Sequence, residues 1–304
     1  MFVVFNRPET TRRVFESIRA AKPRRLFIAA DGPRPEVPED RIRCQEVRKI
    51  AATVDWPCQV HTLFRHQNLG CRKAVSGAID WFFASEPEGI ILEDDCLPNA
   101  DFFRFAETLL DRFRDDERVM TIAAQHFHRH AHTPSNSYFF SRYNHCWGWA
   151  SWRRAWQYYD HEMSLWPYLR ETDWLLSIGD GNRFFRDYWT QIFDLVHAGK
   201  VDTWDYQWTF SCWAQSGLAV LPSRNLVTNL GFGAEATHTS KTNTIQANLP
   251  LETLDFPLRH PPAMIRDVVA DRWSDRNLFG IGLRSAVTRR LKRALQWLTP
   301  KTRA

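Results

Sequence analysis

The stretch GIILEDDCLP, Gly89–Pro98, runs four small or apolar residues straight into three consecutive carboxylates. Gly89–Leu92 reads as a buried strand, because a short apolar run bounded by turn signals suits the interior of an α/β sheet. Like charges repel and burying them is costly, so Glu93, Asp94 and Asp95 at its end pose a choice. Either the acids simply reach water there, or a cation holds them.

The surrounding chain places that strand in a fold. Strands are expected at Phe2–Phe5, Leu26–Ala30, Gln59–Phe64, Gly89–Leu92 and Val119–Ala123, with amphipathic helical runs between them. Val14, Ile18 and Ala21 form one helical face, and Pro8 with Glu9 opens that helix where a missing N–H costs nothing. Such alternation implies an α/β fold with a mostly parallel central sheet and helices on both faces. Ligands of these sheets bind beyond the carboxyl ends of the strands. The acid triplet, Asn6-Arg7, Asp31-Gly32 and Arg65-His66 therefore converge on one rim.

After residue 125 the alternation stops. His126, His128, His130 and His132 alternate as ligands on one strand face would, but no cysteine joins them and the acids lie elsewhere, so a polar loop beside the active site is the preferred reading. A strand YFFS comes next, then HCWGWASWRRAWQYYD. Helices are expected over Arg183–Ala198 and Trp204–Ser216, and a strand over Leu218–Leu221. Residues 241–282, rich in turns and prolines, read as a loop-rich wrap. Residues 283–304 read as a basic amphipathic helix, with Leu283, Val287, Leu291 and Leu295 down one side.

Composition narrows the function classes. The chain of 304 residues holds one large α/β domain or two small ones, and its fourteen Trp supply broad faces for packing or for stacking on a ligand. The net charge of +5 lies in the tail: residues 283–304 carry seven basic side chains and no acid, so the remainder is slightly acidic. That argues against a nucleic-acid-binding body. The tail either contacts an anionic membrane surface or docks back on the protein. Six scattered cysteines without a CxxC pair indicate reduced thiols and a cytoplasmic setting, with peripheral contact to the inner membrane surface as an option. No apolar run in the sequence is long enough to span a bilayer.

Three features carry chemistry. Carboxylates are hard ligands suited to Mn2+ or Mg2+, and a divalent ion at Glu93-Asp94-Asp95 would neutralise a diphosphate. Asp205, flanked by Trp204 and Trp208, is a candidate general base for a hydroxyl nucleophile; alternatively it favours a helix N-terminus, with Asp202 three residues before it. Trp147-Gly148-Trp149 offers an aromatic wall with a glycine that lets a sugar approach; the alternative is core packing, a reading at least as good for Trp152 and Trp156 on their helical spacing.

ILEDDCLPNADFF resembles the metal-binding segment of GT-A glycosyltransferases of the N-acetylglucosaminyltransferase I type, part of the nucleotide-diphospho-sugar transferase superfamily. The likeness continues in order through VVFNRPETTRRVFESI, FIAADG, NLGCRKAV, GWASWRRAW and TWDYQW, over roughly residues 1–240. It implies a Rossmann-like GT-A fold with a smaller acceptor-side region: residues 1–125 bind the nucleotide-sugar, and residues 126–240 form the acceptor and catalytic half of the same domain. It further implies that Asp95 ligates the metal, that Glu93 and Asp94 support the ribose and metal waters, and that Arg7 faces the donor diphosphate. Asp31 would accept from the uracil ring, Arg72 and Lys73 would lie beneath the nucleotide, and Trp147, Gly148 and Trp149 would line the donor site. Asp205 would be the base, and His238 a late metal ligand. Tyr206 and Gln207 stand where the family has a second acid, which leaves acceptor choice open.

The implied activity is metal-dependent transfer of a hexosyl or N-acetylhexosaminyl unit from a UDP-sugar to a glycan or lipid-linked acceptor, with inversion. Two rivals remain. A sugar nucleotidyltransferase would want a glycine-rich phosphate loop after the first strand, and FNRPET has no glycine. A non-catalytic carbohydrate-binding protein would not need Asp205 with the acid triplet.

Overall fold

The computed structural model describes residues 1–128, 131–132, 134–232 and 249–282. Its strands are β1 (Phe2–Val4), β2 (Arg25–Ala30), β3 (Gln59–Phe64), β4 (Glu88–Glu93), β5 (Cys96–Pro98), β6 (Val119–Ala123), β7 (Tyr138–Ser141), β8 (Trp149–Trp152), β9 (Leu218–Pro222) and β10 (Val227–Asn229). The helices are α1 (Pro8–Ala21), α2 (Pro38–Ala51), α3 (Gly70–Ser85), α4 (Ala100–Arg112), α5 (Arg153–Trp156), α6 (Trp166–Leu169), α7 (Trp174–Ile178), α8 (Arg183–His197), α9 (Asp205–Ala214) and α10 (Val268–Asn277).

Eight strands form one sheet in the order β3-β2-β1-β4-β8-β6-β9-β7. β8 and β7 run against the other six. Register aligns the carboxyl ends of the first four strands: Ala30 pairs with Phe64, Val4 with Ala30, and Val3 with Glu93. The residues just past each of these strands therefore share one rim, as the alternation implied. A separate two-stranded ribbon pairs β5 with β10, Cys96 opposite Asn229.

Strand alternation divides the core into two layers. Leu26, Ile28 and Leu92 face α1 and α4, whose Phe15, Ile18, Phe102 and Phe105 are buried with them. Phe27 and Ile91 face the other way, into an aromatic layer of Trp149, Trp156, Trp189, Trp204, Trp208 and Trp213. Most of the tryptophan content thus serves packing, with Trp149 stacked on Trp204 at 5.5 Å between ring centroids.

Two segments differ from their sequence reading. Trp152 lies on a strand, β8, inserted antiparallel between β4 and β6, so its spacing from Trp156 is not helical. Trp152 and Trp156 are nonetheless both core residues. Within the expected wrap, Val268–Asn277 is a helix. It escaped apolar periodicity because its buried face is Ala270, Asp271, Ser274 and Asp275. Charge docks it instead: Arg142 donates to both Asp275 oxygens at 2.7 Å, and the Ser141 hydroxyl to Asp271 at 2.5 Å.

The histidine stretch packs beside this helix. His128 Nε2 lies 3.0 Å from both Ala270 O and Ser274 Oγ, and His132 pairs with Asp267. His130 lies outside the described residues. Burial, then the neighbouring His126 ring, pushes the His128 pKa down to about 4. The unfolded chain, with an ordinary value near 6.5, takes up this proton first as pH falls. Stability from neutral His128 is therefore complete above about pH 6.5 and lost toward pH 4, a loss of about 3 kcal/mol. His128→Gln should flatten acid destabilisation in that window, measured as urea midpoints at stepped pH; an unaltered slope would clear His128 of this role.

Candidate active site

The cation beside the acids is, first of all, one of the chain's own. Arg7, in the turn between β1 and α1, donates Nη2 to Asp94 Oδ1 at 2.5 Å and Nη1 to Asp95 Oδ2 at 2.8 Å. Its side chain is 19% exposed, against 3% for Asp94 and 15% for Asp95. Burial opposes the guanidinium charge, yet Asp94 and Asp95 hold its pKa above the ordinary value. Asp94 also accepts from the Phe5 N–H at 3.0 Å, so it ties β1 to the end of β4.

One arginine does not balance three acids. Burial, then Asp95 and Asp94, pushes the partly buried Glu93 carboxyl up to about 8. Burial raises Asp94 to about 6 despite Arg7. Asp205 contributes to the same field: it is among the charges raising Glu93. Cys146 stays a thiol through burial, then through the negative charge of Asp205 and Glu93. Cys71 does so through burial, then Glu93 and Asp205. Glu93 and Asp205 thus both bear on the buried thiols of Cys71 and Cys146.

Among the described residues, no three His, Cys, Asp or Glu side chains converge as a ready-made metal cage. The donor set still fits a hard divalent ion. It is all carboxylate, it carries uncompensated negative charge, and Mg2+-like ions are commonly held by one or two carboxylates completed by substrate phosphates and water. Asp95, with Glu93, would hold such an ion. His238 lies outside the described residues.

The β5–β10 ribbon roofs the acids. Leu230 N–H donates to Asp95 O at 2.7 Å, and Gly231 N–H to Asn229 Oδ1 at 2.6 Å. A Cβ on Gly231 would stand 2.3 Å from Asp95 Oδ2 and 3.0 Å from Arg7 Nη1. Only a glycine lets the backbone come this close. Gly231→Ala should displace Asp95 or the roof at a cost of about 1–3 kcal/mol. Urea denaturation would read this, and parental stability would show that the ribbon can give way to a methyl group. The sequence offered only a glycine in NLGFG as a hint, because the ribbon pairing that brings it to Asp95 is non-local.

Asp31, buried, accepts from Gly32 N–H at 2.9 Å and from Leu69 N–H on both oxygens, at 3.1 and 3.0 Å. It therefore braces the turn before α3 from within the rim, and burial raises its pKa. The first amides of α3, Cys71 and Arg72, donate to Asp202, so the protein's own carboxylate fills the seat expected for a phosphate. The Arg72 guanidinium donates to the His161 carbonyl at 2.6 Å, and Lys73 is exposed.

Trp147 is partly exposed, edge-on to Phe127 and Phe232. Trp149 is 1% exposed and belongs to the core, which corrects its expected place in an accessible wall: it faces the Trp204 and Trp208 side of the sheet. Gly148 has φ +67° and packs on Leu92, so backbone geometry accounts for this glycine. Asp205 is the first residue of α9, and its Oδ1 accepts from the Thr203 hydroxyl.

No protein-family model matches the chain, and no curated protein matches it. Among solved structures, it is similar to the mannosyltransferase PcManGT from Pyrobaculum calidifontis in complex with GDP-Man and Mn2+, at 15% identity and TM-score 0.32. That likeness covers 49% of this chain and 43% of the mannosyltransferase, less than half its length. It is also similar to HddC from Yersinia pseudotuberculosis, at 11% identity and TM-score 0.29, covering 50% of this chain and 76% of that one. Neither likeness is strong enough to carry a function. The helix-flanked eight-stranded sheet itself is consistent with the GT-A-like, Rossmann-type fold implied by the sequence.

Proposed function

We propose that the chain transfers a sugar from a nucleotide-diphosphate donor, a UDP-sugar, to a hydroxyl of a glycan or glycolipid acceptor, with inversion and with Mn2+ or Mg2+. The observation that carries this reading is the run of three carboxylates, Glu93, Asp94 and Asp95, at the carboxyl edge of the sheet, two of them held in place by Arg7. Among the described residues no helix is long and apolar enough to cross a membrane. A cytoplasmic location, with the basic segment 283–304 meeting the inner membrane surface, is part of the proposal; that segment lies outside the described residues.

Asp205 takes the proton of the acceptor hydroxyl through Oδ2, since Oδ1 is engaged by Thr203. The acceptor oxygen then attacks the anomeric carbon, the bond from that carbon to the diphosphate oxygen breaks, and its electron pair leaves with the nucleotide. A divalent ion held by Asp95, when bound, supplies charge neutralisation to the departing diphosphate. Arg7, already oriented by Asp94 and Asp95, presents a fixed positive charge beside it. Asp31 reads the base and the partly exposed Trp147 offers a stacking face.

Thermal stability measured against a panel of nucleotide sugars, with Mn2+, Mg2+ or chelator, tests this. A UDP-sugar at a hundredfold over its Kd should add about 2.7 kcal/mol of apparent stability, with the metal required. The absence of a shift with every nucleotide sugar would overturn the proposal.

A further inference from the structure

The loop leading into α9 is anchored on a different helix. Asp202 Oδ2 accepts from Cys71 N–H at 2.9 Å, and its Oδ1 from Arg72 N–H at 3.0 Å. These amides belong to the first turn of α3, where N–H groups lack intrahelical partners and the dipole favours a negative charge. Gly70, at φ +78°, makes the approach possible: a Cβ there would lie 2.7 Å from Asp202 Oδ2. Beyond Asp202, the Thr203 hydroxyl donates to Asp205 Oδ1, and Trp204 is buried against Trp149. The same turn of α3 is held from the other side, since Leu69 N–H donates to Asp31.

We propose that Asp202 is a positioning residue, latching the 200–204 loop to the start of α3 and thereby fixing the direction in which Asp205 faces the acid rim. The proposal rests on Asp205 as the base. Without the latch, a loop otherwise held by Trp204 and Thr203 loses its reference to the nucleotide half. Small misplacements of a reacting group are expensive, with about 1 Å costing about a hundredfold in rate.

Steady-state kinetics and amide hydrogen exchange on Asp202→Asn and Asp202→Ala test the latch. The expected result is a graded fall in kcat, about tenfold for Asn and about a hundredfold for Ala, at unchanged donor KM. Faster exchange is expected at residues 203–206 and at Cys71 and Arg72, with parental exchange in the rest of the sheet. Parental kcat with parental exchange in the Ala variant would overturn the proposal. So would a loss confined to donor KM or exchange raised across the whole chain, which marks a merely structural residue. If Asp202→Ala does not fold, the Asn variant carries the same comparison. If the parental protein turns over no nucleotide sugar, the sugar-transfer reading fails, while the exchange measurement still decides whether Asp202 orders the loop.

Discussion

Asp205→Asn is expected to lower kcat by about 10²–10⁴-fold, the usual contribution of a positioned general base, while donor binding stays intact. Asn keeps the size of the side chain and can still accept from Thr203 through its carbonyl oxygen. It cannot take a proton from the acceptor hydroxyl. The Mn2+-dependent thermal shift with the donor should therefore match the parental protein, because the proposed mechanism puts Asp205 on the acceptor side and the donor at the ends of β1, β2 and β4. Product formation followed by mass spectrometry, alongside that shift, separates the two steps. Full turnover by the variant would remove Asp205 from the base role. A lost thermal shift would place it among the donor or metal contacts instead.

Arg7→Ala is expected to destabilise the fold by about 3–5 kcal/mol, the cost of removing one partner from a buried ion pair. The loss is large because Arg7 serves two carboxylates at once, one of them only 3% exposed. Without it, Glu93, Asp94 and Asp95 lie side by side with no described arginine or lysine paired to them. Arg7→Lys should recover only part of the loss, since a point-like ammonium cannot span both carboxylates as the guanidinium fork does. Urea denaturation at neutral pH measures both variants. A loss of about half a kcal/mol or less for Arg7→Ala, as an exposed pair contributes, would show that water, not Arg7, satisfies the acids.

These effects bear on how much of the site could be read in one dimension. The acid triplet, Arg7 and Asp31 stand at or just past strand ends, so the parallel alternation brings them to one rim. Asp205 was visible as a lone carboxylate between Trp204 and Trp208, and both of those rings pack in the core. Trp149 was misplaced because a run of aromatics has no periodicity that tells an outward face from an inward one. Helix α10 was missed because polar and charged side chains form most of its buried face, whereas periodicity detects apolar ones.

By itself the sequence determined the alternating α/β pattern, the parallel half of the sheet and the acids at the end of β4, because these depend on local apolar spacing and on where strands stop. Tertiary structure alone decided that Arg7 bridges two of the acids, that Gly231 roofs Asp95, and that Asp202 caps α3 from 130 residues away in the chain. Each of those contacts joins residues distant in sequence through a hydrogen bond or a steric fit. Their energies depend on angstrom-scale separation, which residue order does not encode locally.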